Sequence, residues 1–167
     1  DDFIKNKKNV YHPRVRRMHR TQSAVAQNAN WVIAQNQYLK QVIESWGVAH
    51  ERIRVITNPF VAPKRPASKT ELRKQLGVEP GAPISVSSGR MVEWKGFRTL
   101  IEAVSQLQDQ NVQLYIAGDG PERQAIEYKI DECRMKKRVH LLGTLPKETY
   151  FSYVAAADLF ILNTAYE

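Results

Sequence analysis

The feature that most constrains the fold is a regular alternation of short apolar segments and longer helical patterns, beginning at residue 68. The apolar segments predict four strands, at residues 84–88, 112–117, 139–142 and 158–163. The segments between them have the apolar spacing of helices, at residues 96–108, 122–133 and 146–156. Strands that alternate with helices of this length form parallel βαβ units. The predicted fold is therefore α/β, a parallel sheet with flanking helices.

A glycine directly follows three of the predicted strands, as Gly89, Gly118 and Gly143. Glycine lets the backbone turn tightly and approach a ligand closely. Ligands of open α/β sheets bind outside the carboxyl ends of the strands. We therefore predict that all four strands run parallel and that these three glycines lie together at that edge.

The first of these turns also carries two cations, Arg90 and Lys95, just before a predicted helix that begins at Gly96. The first turn of a helix offers unpaired backbone amides and the positive end of the helix dipole, and both favour anions. With an arginine and a lysine added, the turn suits a diphosphate better than a single carboxylate. The alternative is a basic turn that only faces solvent, because one glycine-containing βα turn is a weak signal.

The first third of the chain has a less regular organisation. Pro13 suits the first turn of a helix, which we predict to run to about Asn28. Further patterns predict a strand at 31–34, a helix at 38–46 and a strand at 53–56. Prolines then interrupt the pattern at positions 59, 63 and 66. We therefore place a linker at residues 58–69, between one domain at 1–57 and another at 70–167.

The charge balance indicates anionic partners. The chain has 167 residues, a net charge of +8 and a pI of about 9.7, which favours nucleotides, phosphorylated lipids, membrane surfaces or nucleic acid. Seven Lys or Arg residues fall within the first twenty. The helix predicted from Pro13 therefore has a basic face, which fits either contact with an anionic membrane or, our preferred interpretation, a solvated surface.

The remaining signals concern compartment and metals. A single cysteine, Cys133, excludes an internal disulfide and fits a reducing compartment. No apolar run is long enough to span a membrane, so we predict a cytoplasmic protein, with peripheral contact at the inner face of the membrane left open. His12 and His19 lack carboxylate or cysteine partners at ligand spacing, and we predict no metal site. His140 alternates with apolar residues in a strand, which favours a packed or surface histidine over a catalytic base.

Several motifs occur in one order along the chain. They are Gly89-Arg90 followed by Lys95-Gly96, then Gly118-Asp119-Gly120-Pro121, then Val139 with Leu142-Gly143 and Pro146, and then Ala157-Asp158-Leu159-Phe160 with Glu167. Each is weak alone, but in this order and spacing the chain resembles the family 4 retaining glycosyltransferases over nearly its whole length. The resemblance implies part of a GT-B fold, in which two Rossmann-like domains face each other across a cleft. Residues 1–57 would end the acceptor-side domain, and residues 70–167 would begin the nucleotide-sugar domain.

The resemblance also implies roles for individual residues. Arg90 and Lys95 match the pair that holds the donor diphosphate and stabilises the departing phosphate, and Glu167 matches a glutamate that contacts the donor sugar. The other matched residues line the donor cleft or meet the nucleotide base; they are Gly89, Gly118, Asp119, Gly120, Pro121, Leu142 and Gly143. For Asp119 we favour a simpler alternative, that its side chain caps the helix that follows.

The function implied is transfer of a hexosyl group, with retention, from a UDP- or GDP-linked sugar to an unknown acceptor such as a cell-surface polysaccharide, a glycolipid or a small molecule. No cofactor or metal is expected beyond this donor, and no nucleic acid partner. Two alternatives stay open: a nucleotide-sugar epimerase of the GT-B fold, and a non-enzymatic basic module that binds nucleic acid or an anionic membrane. Because four strands without a closing helix leave an apolar face uncovered, we expect this chain to be a segment of a longer protein and to be inactive alone.

Overall fold

We analysed a computed structural model of the chain, which describes residues 13–59, 67–78, 81–107 and 111–165. The chain divides into two compact units, with the division between residues 61 and 62. This division lies inside the linker predicted at residues 58–69. Each unit is described below by itself.

In the residues that the structure describes, the first unit is a small two-stranded parallel sheet with two helices. Its elements are α1 (Pro13–Asn28), β1 (Val32–Ala34), α2 (Gln37–Ser45), a short 3₁₀ turn (His50–Arg52) and β2 (Ile53–Val55). Strands β1 and β2 pair in parallel, with Ile33 opposite Arg54. A core joins the helices to the strands; its buried members are Ala26, Ala34, Ile43, Val48 and Ile53. Helix α1 has the bounds predicted from the sequence.

Arg52 fastens the carboxyl end of α1 in this unit. Its Nη2 atom donates to the carbonyl oxygens of Gln27 and Ala29, both at 2.6 Å, and of Ala26 at 3.3 Å. The last carbonyls of a helix lack intrahelical partners and carry partial negative charge. One guanidinium therefore satisfies several of them and fixes the exit of the chain from α1.

The described part of the second unit is a four-stranded sheet flanked by four helices. Its elements are α3 (Lys69–Gln75), β3 (Ile84–Ser88), α4 (Phe97–Ser105), β4 (Gln113–Ala117), α5 (Arg123–Glu132), β5 (Val139–Gly143), α6 (Lys147–Ala156) and β6 (Leu159–Ile161). All three strand pairings are parallel and the order is β5-β4-β3-β6. The prediction of a parallel sheet with flanking helices is confirmed, and β3 has its predicted bounds. Strand β6 is shorter than predicted.

Side chains alternate between the two faces of this sheet. On one face, Leu114 and Ile116 of β4 pack with residues of α4 and α5, such as Ile101 and Ile126. On the other face, Ile84, Val86 and Tyr115 form a second core with residues of α6, including Tyr153 and Val154, and with Leu76 after α3. The central strands β3 and β4 are covered on both faces, as parallel strands require.

The amino edge of the sheet is fastened by Asp158. Its carboxylate accepts from Lys69 Nζ (2.6 Å), Arg73 Nη2 (2.6 Å) and the backbone amide of Ile84 (2.7 Å). Arg73 also donates through Nε to the carbonyl of Ala156, at 3.0 Å. These hydrogen bonds lower the pKa of Asp158 far below its ordinary value. The cluster joins α3 to the first residues of β3 and β6.

Strand β6 forms one edge of the sheet, and Leu159 and Phe160 are exposed there. The sequence led us to expect an uncovered apolar face of this sheet, without a position for it. Among the described residues, no helix is long and apolar enough to cross a membrane.

Candidate functional site

The order of the strands locates the candidate site. Across the sheet the strands lie in the order β5-β4-β3-β6. The chain therefore moves in one direction from β3 to β4 and β5, and then crosses back to place β6 on the other side of β3. The direction of the connections reverses between β3 and β6. In open α/β sheets, ligands bind in the crevice outside the strand ends at such a reversal. The crevice here lies between the turn at residues 89–96 and the segment at 162–165.

Two hydrogen bonds join the sides of this crevice. Asn163 Nδ2 donates to the carbonyl of Gly96 (3.0 Å), and the amide of Ala165 donates to the carbonyl of Trp94 (2.8 Å). Gly96 has a φ of +65°, and a Cβ atom there would lie 2.4 Å from the carbonyl oxygen of Asn163. A glycine is therefore required at the point where the turn meets the segment after β6.

The turns after β3, β4 and β5 are also bonded to one another. The amide of Gly89 donates to the carbonyl of Ala117 (3.0 Å), and the amide of Gly118 donates to the carbonyl of Gly143 (2.7 Å). A Cβ atom on Gly118 would lie 2.0 Å from the carbonyl oxygen of Gly89. The three glycines predicted at the carboxyl edge thus lie there in direct backbone contact.

A second pair of hydrogen bonds fixes the turn beyond Arg90. The amide of Met91 donates to the carbonyl of Asp119 (2.8 Å), and the amide of Glu122 donates to the carbonyl of Met91 (3.0 Å). Met91 is fully buried, and a Cβ atom on Gly120 would lie 2.5 Å from its carbonyl oxygen. Because Met91 is held in place, the backbone that carries Arg90 is held as well.

The two cations of this turn have different surroundings. Arg90 is exposed, and within the described ranges its guanidinium forms no ion pair. The aliphatic part of Lys95 lies over Gly89, since its Cδ and Cε atoms are 3.6 Å from the position a Cβ atom of Gly89 would occupy. Lys95 therefore folds back along the turn toward Gly89, the residue before Arg90. As far as the structure describes the chain, no side chain caps the first turn of α4, so its amides stay available to an anion.

The interpretation of Asp119 as a helix cap is wrong. Its Oδ1 atom accepts from the amide of the adjacent Gly120 (2.7 Å), and the residue before α5 is Glu122, whose side chain makes no capping bond. The other oxygen of Asp119 lies 3.6 Å from Nη1 of Arg123. The expected cap does not form because α5 begins after Glu122, three residues beyond Asp119. The carboxylate of Asp119 instead contacts Gly120 and Arg123.

The remaining predicted residues lie at the same edge of the sheet, with one outside the described ranges. Pro121 follows Gly120 in the turn after β4, and Leu142 is half-buried against the second core. The pairing between β4 and β5 is irregular after Ile116, so Ala117 faces Gly143 and Leu142 is passed over. Glu167 lies outside the described residues, and its predicted contact with the donor sugar stays a prediction.

Sequence reasoning missed three polar residues at this edge: Asn163, Arg123 and Tyr150. The hydroxyl of Tyr150 on α6 lies 3.0 Å from the hydroxyl of Ser88, the last residue of β3. Arg123 also pairs with Glu127, at 2.9 Å. Arg123 follows Asp119 by four residues and Asn163 lies two residues after the last strand, so spacing could have found these two. The contact of Tyr150 joins residues 62 positions apart and had no sequence signal.

The histidines do not form a metal site in the part of the chain described. His140 stacks on Tyr115 with ring centroids 4.6 Å apart, and its Nε2 atom lies 2.9 Å from Oε1 of Gln113. Burial lowers the pKa of His140. The described residues hold no group of three His, Cys, Asp or Glu side chains that could bind a metal. Metal independence stays a prediction.

A reversed parallel sheet with a cationic, glycine-lined crevice defines a Rossmann-like α/β domain of the kind that binds nucleotides. Residues 68–167 match the model of one family, the glycosyl transferases group 1. The chain belongs to this family.

Curated relatives agree with this assignment. The chain is 36% identical over 115 residues to the lipopolysaccharide core biosynthesis glycosyltransferase LpsD of Rhizobium meliloti, a match that covers 69% of this chain and 32% of LpsD. It is 31% identical over 147 residues to LpsE of the same organism, covering 88% of this chain and 41% of LpsE. The chain therefore spans between about a third and two-fifths of the length of these relatives.

Solved structures share the fold. The Anabaena protein Alr3699/HepE in complex with UDP-glucose has a TM-score of 0.67 at 27% identity, over 85% of this chain and 40% of HepE. Sucrose-phosphate synthase from Thermosynechococcus elongatus has a TM-score of 0.72 at 22% identity, over 97% of this chain and 41% of that enzyme. The parallel sheets and flanking helices of this chain are those of GT-B glycosyltransferases.

Proposed function

We propose that the protein containing this chain is a retaining glycosyltransferase of family 4, which transfers a hexosyl group from a nucleotide-diphosphate sugar. The observation that carries this proposal is the turn at residues 89–96. It holds an exposed arginine without an ion pair among the described residues, beside an uncapped helix start, at the reversal point of the sheet.

The proposed chemistry follows from where charge develops. As the bond between the sugar and the diphosphate breaks, negative charge grows on the leaving phosphate. A guanidinium can donate two parallel hydrogen bonds to phosphate oxygens, and fixed cations near such a group stabilise the transition state. We assign this role to Arg90 and Lys95, with the first amides of α4 as further donors. Glu167 is proposed to contact hydroxyls of the donor sugar.

The glycine-lined turns are proposed to form the donor cleft. The backbones of Gly89, Gly118 and Gly143 lie in direct contact, so we propose that the wall of the cleft at this edge is formed by backbone rather than by side chains. Asp119, Gly120, Pro121 and Leu142 are proposed to shape its remaining walls. HepE, at 27% identity, was crystallised with UDP-glucose, which supports a UDP-linked sugar as the first donor to test.

The experiment is an assay of the full-length protein with UDP- and GDP-linked hexoses and candidate sugar acceptors. We expect transfer from one class of donor without added metal, and NMR of the product should show the anomeric configuration of the donor retained. Inversion would refute the retaining mechanism. Interconversion of the nucleotide sugar without an acceptor would assign the protein to the epimerases instead.

A further expectation concerns the 167 residues alone. Each of the two relatives described above is more than twice as long as the part that this chain matches. We propose that the isolated chain binds nucleotide weakly and transfers no sugar, because the residues proposed here belong to the donor side alone. Measurable transfer by the isolated chain would overturn this. A cytoplasmic location stays a prediction.

A further inference from the structure

The positive charge of the chain is concentrated in its smaller unit. Residues 1–61 hold ten of the 25 Lys and Arg residues but only four of the 17 Asp and Glu residues, a net charge of +6 against +2 for residues 62–167. The donor crevice lies wholly in the second unit. The proposed diphosphate site therefore does not account for most of the positive charge.

Helix α1 carries much of this charge in an unfavourable position. It contains four arginines and no acidic residue, and all four lie in its first eight positions. The amino-terminal end of a helix is the positive end of its dipole, and the effect is confined to about the first turn, so Arg14 and Arg16 lie where cations are unfavourable. Residues that depart from such a local preference are typical of a surface with a function.

Three of these arginines form one outward surface, which we call the arginine face: Arg16, Arg17 and Arg20. They line a shallow groove of about 410 Å³ together with Pro13 and Thr21. All three are exposed, and none forms an ion pair with another described residue. The inner side of α1 is packed, because Val15 and Ala26 are buried there.

The chemistry of this surface fits a flat anionic partner. The groove is open, so it cannot enclose a small phosphate. Met18, which follows Arg17 in the chain, is exposed on α1, and an interfacial helix buries such side chains among lipid headgroups. Helix α1 has no Phe, Tyr or Trp for stacking on bases. We propose that the arginine face docks this protein on the surface of an anionic phospholipid bilayer.

The test is sedimentation of the full-length protein with vesicles of phosphatidylcholine, with and without phosphatidylglycerol. We expect binding only to the anionic vesicles and release at about 1 M salt, where the Debye length falls to about 3 Å. Replacing the three arginines together (Arg16→Gln, Arg17→Gln, Arg20→Gln) should lower the partition coefficient on the order of a hundredfold, since each basic residue near such a surface contributes about fivefold. Replacing all three by Lys should preserve binding.

The matched control removes the same charge from exposed positions of the second unit: Lys74→Gln, Arg134→Gln and Lys137→Gln. An equal loss of binding in this control would overturn the proposal, as would equal binding to uncharged vesicles. Release by inorganic phosphate at constant ionic strength would indicate a site for a soluble phosphate instead. Transfer of the protein from vesicles to a random oligonucleotide would assign the face to nucleic acid. Thermal stability of the glutamine variant should not fall, because all three arginines are exposed without an ion pair to a described residue, and Arg16 lies in the first turn, where a cation is unfavourable.

Discussion

The charged residues at the amino ends of the strands in the four-stranded sheet, its amino edge, and those at the carboxyl ends, its carboxyl edge, are used in opposite ways. At the amino edge, Asp158 accepts from Lys69, Arg73 and the amide of Ile84, all within 2.7 Å. At the carboxyl edge, the guanidinium of Arg90 has no ion pair with a described residue, and the turns around it are fixed by backbone hydrogen bonds. The first arrangement uses charges to hold the fold together.

At the carboxyl edge, Arg90 stays available to an anion because backbone hydrogen bonds hold the turns in place. Met91 is fully buried and bonded to Asp119 and Glu122, so the neighbouring Arg90 needs no partner of its own to stay in place. Holding an unpaired charge on a rigid support is what binding a charged transition state requires. The difference teaches that the partners of a charged side chain, more than its charge, distinguish the structural cluster at Asp158 from the proposed anion site at Arg90.

The largest effect is expected from removing the cations of the carboxyl edge. In the full-length protein, Arg90→Ala and Lys95→Ala should each raise the barrier to transfer by about 2–4 kcal/mol, by analogy with loss of an oxyanion donor. The loss should appear in kcat more than in the affinity for the bare nucleoside, because charge on the leaving group is greatest in the transition state. Arg90→Lys should also be damaging, since an ammonium cannot form the guanidinium's paired bonds. Steady-state kinetics measures each effect.

Lys137→Ala is the control for this comparison, because it removes an exposed cation near the start of β5, at the amino edge. Its kcat should be unchanged. A near-normal kcat in both Arg90→Ala and Lys95→Ala would make the turn at 89–96 only a basic loop.

The next largest effect tests whether backbone contact really supports the carboxyl edge. Gly118→Ala places a methyl group 2.0 Å from the carbonyl oxygen of Gly89 at a φ of +131°, and strain and overlap together should cost about 2–3 kcal/mol. Gly77→Ala is the matched control, since Gly77 has a φ of +65° but no atom within 4 Å of the added Cβ. It should cost only about 1–2 kcal/mol, the strain of the left-handed conformation alone. Denaturant unfolding measures both, and equal losses would show that the glycine contact is unimportant.

A smaller effect is expected at the amino edge. Asp158→Asn removes two charge-assisted hydrogen bonds but keeps an acceptor for Ile84, so we expect a loss of about 1–2 kcal/mol, reduced by the partial exposure of the carboxylate. The pKa of Asp158 is lowered by its bonds from Lys69, Ile84 and Arg73. The stabilisation is therefore full above the unfolded value of about 3.9 and disappears as the pH falls below it.

The measurement is the difference in unfolding free energy between the wild type and the variant. It should be largest near neutral pH and shrink below about pH 4. Asp131→Asn is the control, because Asp131 forms one exposed pair with Lys136, at 2.9 Å. A pH-independent difference, or an equal loss in the control, would contradict the structural role given to Asp158.

The sequence predicted this contrast only in part. The periodicity of apolar residues predicted the bounds of β3 and the parallel sheet, and Pro13 predicted the start of α1, because those signals are local. The periodicity overestimated β6, which was predicted at 158–163 but spans Leu159–Ile161. The reason is tertiary: the side chain of Asp158 is committed to the ion cluster and that of Asn163 to Gly96, so neither end continues the strand.

The candidate site was predictable where it depends on chain order and not where it depends on contacts. Arg90 and Lys95 stand between a strand and a helix, and the carboxyl ends of parallel strands must share an edge. The sequence did not predict that the side chain of Asp119 would accept from the amide of Gly120 and not cap α5. The sequence also did not predict which residue of α6 contacts the last residue of β3.

The smallest effect is expected from that last contact, between Ser88 and Tyr150. Their hydroxyls lie 3.0 Å apart and partly buried, and they join α6 to the residue before Gly89. Tyr150→Phe removes one neutral hydrogen bond and keeps the ring, which should cost about 0.5–1 kcal/mol. Ser88→Ala should cost a similar amount, and the double variant should cost less than the two single changes added together, because they remove the same bond. A double-mutant cycle of unfolding free energies measures this coupling. Because the backbone already fixes Gly89 through Ala117, kcat should change little in all three variants. A large fall in kcat with little loss of stability would instead move Tyr150 from the support of the carboxyl edge into the donor site itself.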